Sequence, residues 1–387
     1  MYSDKDFQTF WFRYKTEGKP HGISINSSCI NQGVPYKQLL FNPHYCIQMI
    51  NQEVKQQLLQ LENRDVVKNW FKRIHGRELN TTRAREINAA AKQAAEFFRN
   101  AENASYSVRP LHTYYAIYSL SRALVLLLKK QGGENTLKEG HGLSTDNWSS
   151  ILYGGKDDNN LKDIGKLRVK TRKGLFSELV NETDNYTTIH INSEGVDWGI
   201  SYNIPNEGYI FTLDELISRI PDLQNDIKEL GVDENFCRVN GLKYTEKDGF
   251  SCDIYGNNEN VLEPYKGKGY QTLLKVPNVN LTCSSEQINS FVPQFLHKYV
   301  QKDFGAIPSL YIIKPFDEDI RFSEISIVFL MSYYLGMLVR YYPTHWISLI
   351  QGDNGDRYWP ILNRAQNYVL QVFPELCIEL INEKLKL

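Results

Sequence analysis

Apolar residues recur every three or four positions in the first third of the chain, and cluster in short runs between turn residues in the middle. They return to helical spacing at the end. Residues 36–60 read as a helix broken near Pro43, and residues 64–74 set Val66, Val67, Trp70 and Phe71 on one side. The clearest amphipathic stretch is 82–101. There Ala84, Ile87, Ala91, Ala94, Phe98 and Ala101 make one face, opposite Arg85, Lys92, Glu96 and Arg99. Asn80, Thr81 or Thr82 is placed to cap its start. Its alanines let a neighbouring helix approach closely, and the next segment, 111–130, is the expected neighbour. That segment follows Pro110, is apolar nearly all round except at Arg122, and ends in Lys129-Lys130 before Gly132-Gly133.

From about 183 to 282 the pattern changes. Strands are expected at 187–192, 200–204, 209–211, 236–239, 250–255 and 272–276, with a helix at 213–230 broken at Pro221. Asp248-Gly249 and Gly256-Asn257-Asn258 supply turns. Helical spacing resumes at 284–300, 323–340 and 361–386, the last interrupted at Pro374. Segments 111–128 and 325–339 each carry more apolar surface than a local hairpin can hide, so the two ends of the chain should share a core. The expected fold is mainly α with an α/β insertion. Residues 1–182 and 283–387 form a helical bundle around a mixed module at 183–282.

Composition narrows the function rather than the fold. The chain has 387 residues, which at roughly 150 per domain fits two domains or one with an insertion. Lys plus Arg is 44 and Asp plus Glu is 45, a net charge of -1. Nucleic acid or anionic lipid can therefore be attracted only by a local patch. Six cysteines at 29, 46, 237, 252, 283 and 377 show no C-x-x-C spacing, so buried reduced thiols are expected rather than a zinc site or disulfide framework. The first residues, Met1-Tyr2-Ser3-Asp4-Lys5-Asp6, lack a signal-peptide core. The run from Ile325 to Val339 is shorter than the roughly 18–20 residues that span a bilayer. A cytoplasmic protein with no integral membrane segment is expected.

The sequence contains no P-loop, no H-E-x-x-H, no G-x-S-x-G and no EF-hand loop. Gly267-Lys268-Gly269 reads as a turn, and Pro221-Asp222 with Asp226-Ile227-Lys228 only mimics a nuclease pattern. Asp317-Glu318-Asp319 has no fourth ligand beside it, so neither a metal nor any cofactor is expected.

Three stretches, in order, carry a family resemblance. The first runs from Ala84-Arg85-Glu86-Ile87 through Phe97-Phe98 and Val108-Arg109-Pro110-Leu111 to Tyr114-Tyr115-Ala116-Ile117-Tyr118-Ser119-Leu120-Ser121-Arg122-Ala123. The second is Gly140-His141-Gly142-Leu143, and the third runs from Met331 through Arg340-Tyr341-Tyr342-Pro343 to Trp346. Together they resemble the YaaC-like family of bacterial proteins over roughly 80–150 and 285–387. That resemblance implies a HEPN-like helical protein, and some members look like antiphage defence components. The JukA-type component of the jumbo-phage killer system, for example, acts with a second subunit, JukB. The function so implied is a non-enzymatic sensor or scaffold working with a second, JukB-like defence protein. A homo-oligomer and a phage-derived or anionic-lipid target are further candidate partners.

Four sets of residues are candidates for chemistry. Arg340 and His345 form an R-x4-H motif, as in metal-independent HEPN-type RNases, where a histidine moves the 2′-hydroxyl proton and an arginine holds the phosphate. Pro343 inside the motif should end the helix, in which case Arg340 caps its carbonyls and Trp346 packs beneath. Arg109, Arg122 and His141 could line an anion or ligand pocket, unless Glu86, Glu96 or Glu324 pairs with the arginines. Lys166, Arg168, Lys170, Arg172 and Lys173 make a basic patch suited to nucleic acid or a membrane surface, or simply a solvated face. The chain holds 24 Tyr, 18 Phe and 6 Trp, and from these Tyr333, Tyr334, Tyr341, Tyr342 and Trp346 are candidates for a protein interface or for core packing.

Overall fold

The computed structural model describes residues 53–154, 160–191, 195–255, 259–275, 278–300, 308–352 and 356–386. Most of the helix expected at 36–60, with Cys29 and Cys46, lies outside them. In chain order the elements are α1 (Arg64–His75), α2 (Thr81–Asn103), α3 (Arg109–Leu128), β1 (His141–Thr145), α4 (Trp148–Leu152), β2 (Arg168–Gly174), α5 (Leu175–Glu182), β3 (Tyr186–Ile189), β4 (Trp198–Ser201), β5 (Ile210–Thr212), α6 (Leu213–Ile217), α7 (Gln224–Leu230), β6 (Phe236–Thr245), β7 (Gly249–Tyr255), α8 (Glu259–Lys266), β8 (Gln271–Lys275), β9 (Asn278–Cys283), α9 (Ser285–Ser290), β10 (Gln294–Lys298), β11 (Ser309–Ile313), α10 (Glu324–Tyr341), α11 (Pro343–Gln351) and α12 (Trp359–Lys386). The chain is mainly α with a sheet-containing region.

Local chemistry starts and stops these helices. Asn63 accepts from the amides of Asp65 and Val66 to open α1, which Gly76 closes at φ 67°. Asn80 accepts from Arg83 to open α2, and the alanine face of α2 packs along α3. The Arg83 guanidinium, buried, donates to the carbonyls of Leu126 and Lys129 and so closes α3. Helix α10 is buried at every residue from Glu324 to Val339, and packs on α3 and α12. Among the described residues no single helix is long and apolar enough to cross a membrane, and α10 meets α11 at a bend of 103°. Tyr342 makes that bend with non-helical dihedrals, and Pro343 opens α11, where its missing N–H costs nothing.

Among the described residues three antiparallel sheets join these helices. Their strand orders are β1-β2-β5, β3-β4 and β10-β11-β6-β7-β9-β8. The six-stranded sheet separates two hydrophobic cores at its β10–β11 end. Phe295, Leu310 and Ile312 face a smaller core with Phe250, Cys252, Ile254, Val261 and Tyr265. Leu296, Tyr311 and Ile313 face the large core shared by α2, α3, α10 and α12. Alternate residues thus serve alternate cores. Cys237, Cys252, Cys283 and Cys377 are free and buried, as expected of reduced thiols.

Several elements differ from expectation. Residues 284–300 form not one helix but α9 and then β10. Ser284 and Gln287 make a capping box, and Pro293 lets no helix continue into the strand. The six-stranded sheet therefore crosses the expected boundary at 282/283. Helix α12 runs through Pro374 without a break. Its neighbours Val372, Phe373, Leu376 and Cys377 are all buried, and at roughly 1.5–3 kcal/mol each that burial outweighs the roughly 3 kcal/mol cost of an interior proline. Strands β1 and β2 were not expected. In β2, Val169 and Thr171 point inward while Arg168, Arg172 and Lys173 point out.

Candidate functional site

The bend between α10 and α11 separates the two residues of the R-x4-H motif. Arg340 is exposed on the last turn of α10 and donates to the Tyr115 hydroxyl at 2.7 Å. It stacks over Tyr341, and among the described residues it caps no carbonyl. His345 is 1% exposed, sits on the first turn of α11, and has Nε2 3.1 Å from the Leu152 carbonyl. Tyr153 packs on its ring edge-on at 4.7 Å. A substrate that reaches Arg340 finds His345 sealed, so the pair is not assembled for phosphodiester chemistry. His345→Ala is expected to lower the melting temperature by a few degrees, because it removes a buried ring packed on Tyr153 and one of the two hydrogen bonds to the Leu152 carbonyl, a loss of about 1–3 kcal/mol. An unchanged thermal unfolding curve would refute that role.

The pocket expected from Arg109, Arg122 and His141 does not form. Arg109 and Arg122 lie near opposite ends of α3, about 20 Å apart at 1.5 Å per residue. Arg109 stacks on Tyr106, whose carbonyl accepts from buried Trp346. Arg122 pairs with Glu134. The carboxylates considered for these arginines are engaged elsewhere: Glu86 accepts from the Glu134 amide, Glu96 pairs with Arg99, and Glu324 holds His297.

His141 instead meets α3 and α10. Its Nδ1 lies 2.5 Å from the Tyr114 hydroxyl, and the Tyr114, Tyr118 and Tyr333 rings surround it at 5.5, 5.5 and 6.0 Å. Glycines make this approach possible. A Cβ on Gly142, at φ 77°, would lie 2.7 Å from the Phe176 amide, and one on Gly174 would lie 2.3 Å from the Gly142 amide. A Cβ on Gly336 of α10 would lie 2.6 Å from Tyr114 Cβ. Burial, then the nearby Arg340 charge, pushes the His141 pKa down, so the ring is neutral at pH 7. Burial drives the Tyr114 pKa far up, so its hydroxyl keeps its proton. Buried Tyr114 has no other acceptor among the described residues, so it donates to Nδ1 and leaves the His141 proton on Nε2. Arg340, reached through Tyr115, completes a face of His141, Tyr118, Tyr115 and Arg340 across α3 and α10.

The other expected residues divide by exposure. Tyr333, Tyr334 and Trp346 are core residues: Tyr333 donates to the Leu143 carbonyl, and Tyr334 contacts those of Leu167 and Phe211. Tyr342 is half-buried, and of the five only Tyr341 is exposed. Lys166 pairs with Asp163 and Arg168 with Asp146, while Arg172 donates to Ser144. Lys170 is half-buried and Lys173 exposed. The basic patch is thus the outer face of β2 and the turn before it, with two of its five charges neutralised.

An interior network of histidine and glutamate escaped the sequence reading. His297 accepts the His190 amide at Nε2 and faces Glu324 with Nδ1 at 2.8 Å, so its proton is on Nδ1. His190 Nδ1 is 3.0 Å from the Gly195 carbonyl and its Nε2 is 2.9 Å from Glu379 Oε1. Glu379 Oε2 also accepts from Thr188 and Tyr299. Burial pulls the His190 pKa down, but the Glu379 contact outweighs it and the pKa rises. Burial likewise pushes Glu379 up, and its bonds to His190 and Tyr299 bring it net below its ordinary value. At pH values below the ordinary histidine pKa of about 6.5 the two form an imidazolium–carboxylate pair, beside a pocket of about 560 Å³ edged by Arg73, Glu375, Glu383 and Lys386. Both nitrogens of His190 are engaged, so the pair ties β3 to α12 rather than offering a free base. Among the described residues no group of three or more His, Cys, Asp or Glu side chains is arranged to hold a metal ion.

Comparison with known proteins agrees with the resemblance of the helical parts. A family model described as YaaC-like Protein matches residues 51–381, and the chain belongs to that family. Neither a curated protein nor a solved structure matches it.

Proposed function

We propose that this YaaC-like protein is a non-catalytic recognition subunit of an intracellular antiphage defence system, acting with a second bacterial protein. Helices α2, α3, α10 and α12 are the bundle that presents its docking face. One observation carries the reading. Of ten large hydrophobic side chains exposed among the described residues, four (Tyr106, Val108, Tyr153 and Tyr341) lie on segments that meet around the α10–α11 bend. Trp346 links Tyr106 to this bend, and Tyr342 links Tyr153 to it. Exposed aromatics beside arginine have the composition of protein–protein hot spots. The sealed His345 supports the non-catalytic reading, and the defence setting follows from the resemblance of the helical parts to defence components.

Tagged protein purified from its native cells, with and without phage, is expected to carry a near-stoichiometric second protein. Tyr341→Asp together with Tyr153→Asp is expected to abolish that recovery while leaving the circular dichroism spectrum unchanged. Deletion of the gene is expected to raise phage plating efficiency. Recovery of the protein alone under both conditions, with unchanged plating, would overturn the reading.

A further inference from the structure

The surface around the α10–α11 bend carries positive charge that no acidic side chain answers among the described residues. Arg340, exposed on the last turn of α10, donates to the Tyr115 hydroxyl and lies 5.0 Å from the Tyr341 ring centre. Arg109, half-buried at the start of α3, lies 4.8 Å from the Tyr106 ring centre. Its buried Nε meets no hydrogen-bond acceptor among the described residues. Tyr106 in turn is joined to the first turn of α11 through Trp346. The segments that build this surface, 104–122, 147–154 and 325–352, contain no aspartate or glutamate, yet they contain Arg109, Arg122 and Arg340. Of these arginines Arg122 alone is paired among the described residues, with Glu134.

On the reading that the chain is one subunit of a complex, we infer that its partner meets this surface with an acidic segment. The segment sets carboxylates on Arg340 and Arg109 and apolar side chains on the exposed Tyr106, Val108, Tyr153 and Tyr341. Charge selects the occupant. A guanidinium laid on an aromatic ring keeps its planar fork open to a carboxylate, and the neighbouring rings shield the pair from water. Opposite charge across an interface sets the choice of partner and speeds its encounter. A second copy of this chain fits poorly, because a two-fold contact brings the same unpaired arginines towards each other. Nucleic acid also fits poorly. Its binding sites neutralise many phosphates at once, whereas this surface offers Arg109 and Arg340 among four exposed apolar side chains.

Fluorescence anisotropy of the full chain with labelled probes provides the test. The probes are a short peptide rich in glutamate, leucine and phenylalanine, its counterparts with glutamine or lysine in place of glutamate, and a single-stranded RNA of similar length. The glutamate peptide is expected to bind roughly tenfold or more above the glutamine peptide, with an affinity that falls as salt is raised. Arg109→Gln with Arg340→Gln is expected to weaken it at least tenfold, whereas Arg122→Gln, whose arginine is committed to Glu134, leaves it unchanged. Arg109→Glu with Arg340→Glu is expected to reverse the preference, so that the lysine peptide binds instead, a result that misfolding does not produce. No binding of the glutamate peptide, equal binding of the glutamine peptide, tighter binding of the RNA, or self-association that is lost with the two arginines would overturn the acidic partner. Recovery from native cells separates this outcome from failure of the subunit reading. A second protein recovered equally by wild type and by Arg109→Gln with Arg340→Gln removes the acidic contact and leaves the subunit reading standing. No protein recovered, with the glutamate peptide still bound through both arginines, removes the subunit reading and leaves the acid-binding surface.

Discussion

Glu379→Ala is expected to destabilise the protein by about 2–4 kcal/mol, because it removes the carboxylate that holds the buried His190 ring, which then sheds its proton rather than stay charged in the interior. The exposure of the two side chains, 2% for His190 and 16% for Glu379, places the pair in the interior, where solvent screening is weak. The same change takes an acceptor from Thr188 and Tyr299, so α12 loses three tethers to the sheet region at once. The isosteric Glu379→Gln separates charge from shape through its pH dependence. A histidine whose pKa is raised in the folded state contributes stability that is complete below its unfolded pKa, about 6.5, and is lost as pH rises through the folded value. A carboxylate whose pKa is depressed contributes stability above its unfolded value that is lost as pH falls through the folded one. The pair is therefore strongest between the ordinary carboxylate range and about pH 6.5. Asp222, whose carboxyl burial pushes up to about 7, titrates in wild type and variant alike and largely drops out of their difference. Denaturant unfolding should show a larger gap between wild type and Glu379→Gln at pH 6 than at pH 9. A gap that is constant, or that grows with pH, would mean that His190 is neutral in the folded protein.

That network shows where sequence reading stops. Helices α1, α2, α3 and α10 are legible almost to their ends, because α1 and α2 carry an apolar stripe and a capping asparagine, and α3 and α10 are long apolar runs bounded by Pro110 and Pro343. The stretch 284–300 is not. Phe291, Phe295 and Tyr299 sit four apart, as on a helix, yet Phe295 and Leu296 in β10 serve two different cores. A strand buried on both faces loses the alternation that identifies it. Strand β2 was hidden for the opposite reason. Its lysines and arginines read as a solvated cluster, and of its two pairing partners β1 lies before it and β5 about forty residues further along.

The candidate face was half legible. His141 and Arg340 each stood out, one in a glycine loop and the other at the end of an apolar helix, but each was matched to the wrong neighbour. Spacing along the chain placed Arg340 with His345 and His141 with Arg109 and Arg122. Whether a side chain at a helix end turns inward or outward depends on the bend at Tyr342 and on the packing of α3, and no local pattern encodes either. His190 and Glu379 lie 189 residues apart, and neither carries a sequence signal beyond its type.

Gly336→Val is expected to cost more than about 3 kcal/mol, through a contact that also builds the candidate site. The nearest atoms to a Cβ at 336 are Tyr114 Cβ at 2.6 Å and Cγ at 2.8 Å. These belong to the root of a fully buried side chain, so no rotamer change clears them, and α3 and α10 must separate. Tyr114 cannot retreat freely, since Phe329 and Tyr333 pack edge-on against it and its hydroxyl holds His141. Gly336→Ala meets the same clash but gains about 1 kcal/mol of helix propensity, so its net loss should be about 1–2 kcal/mol. The two variants therefore form a graded series in helix separation. Along that series the His141 ring nitrogen resonances should change before the global unfolding midpoint collapses, because the Tyr114 that meets the new Cβ also holds His141 through its hydroxyl. A Gly336→Ala protein as stable as wild type, with an unshifted His141 resonance, would show that the α3–α10 contact is looser than 2.6 Å implies. The arrangement of His141 would then owe nothing to the glycine of α10.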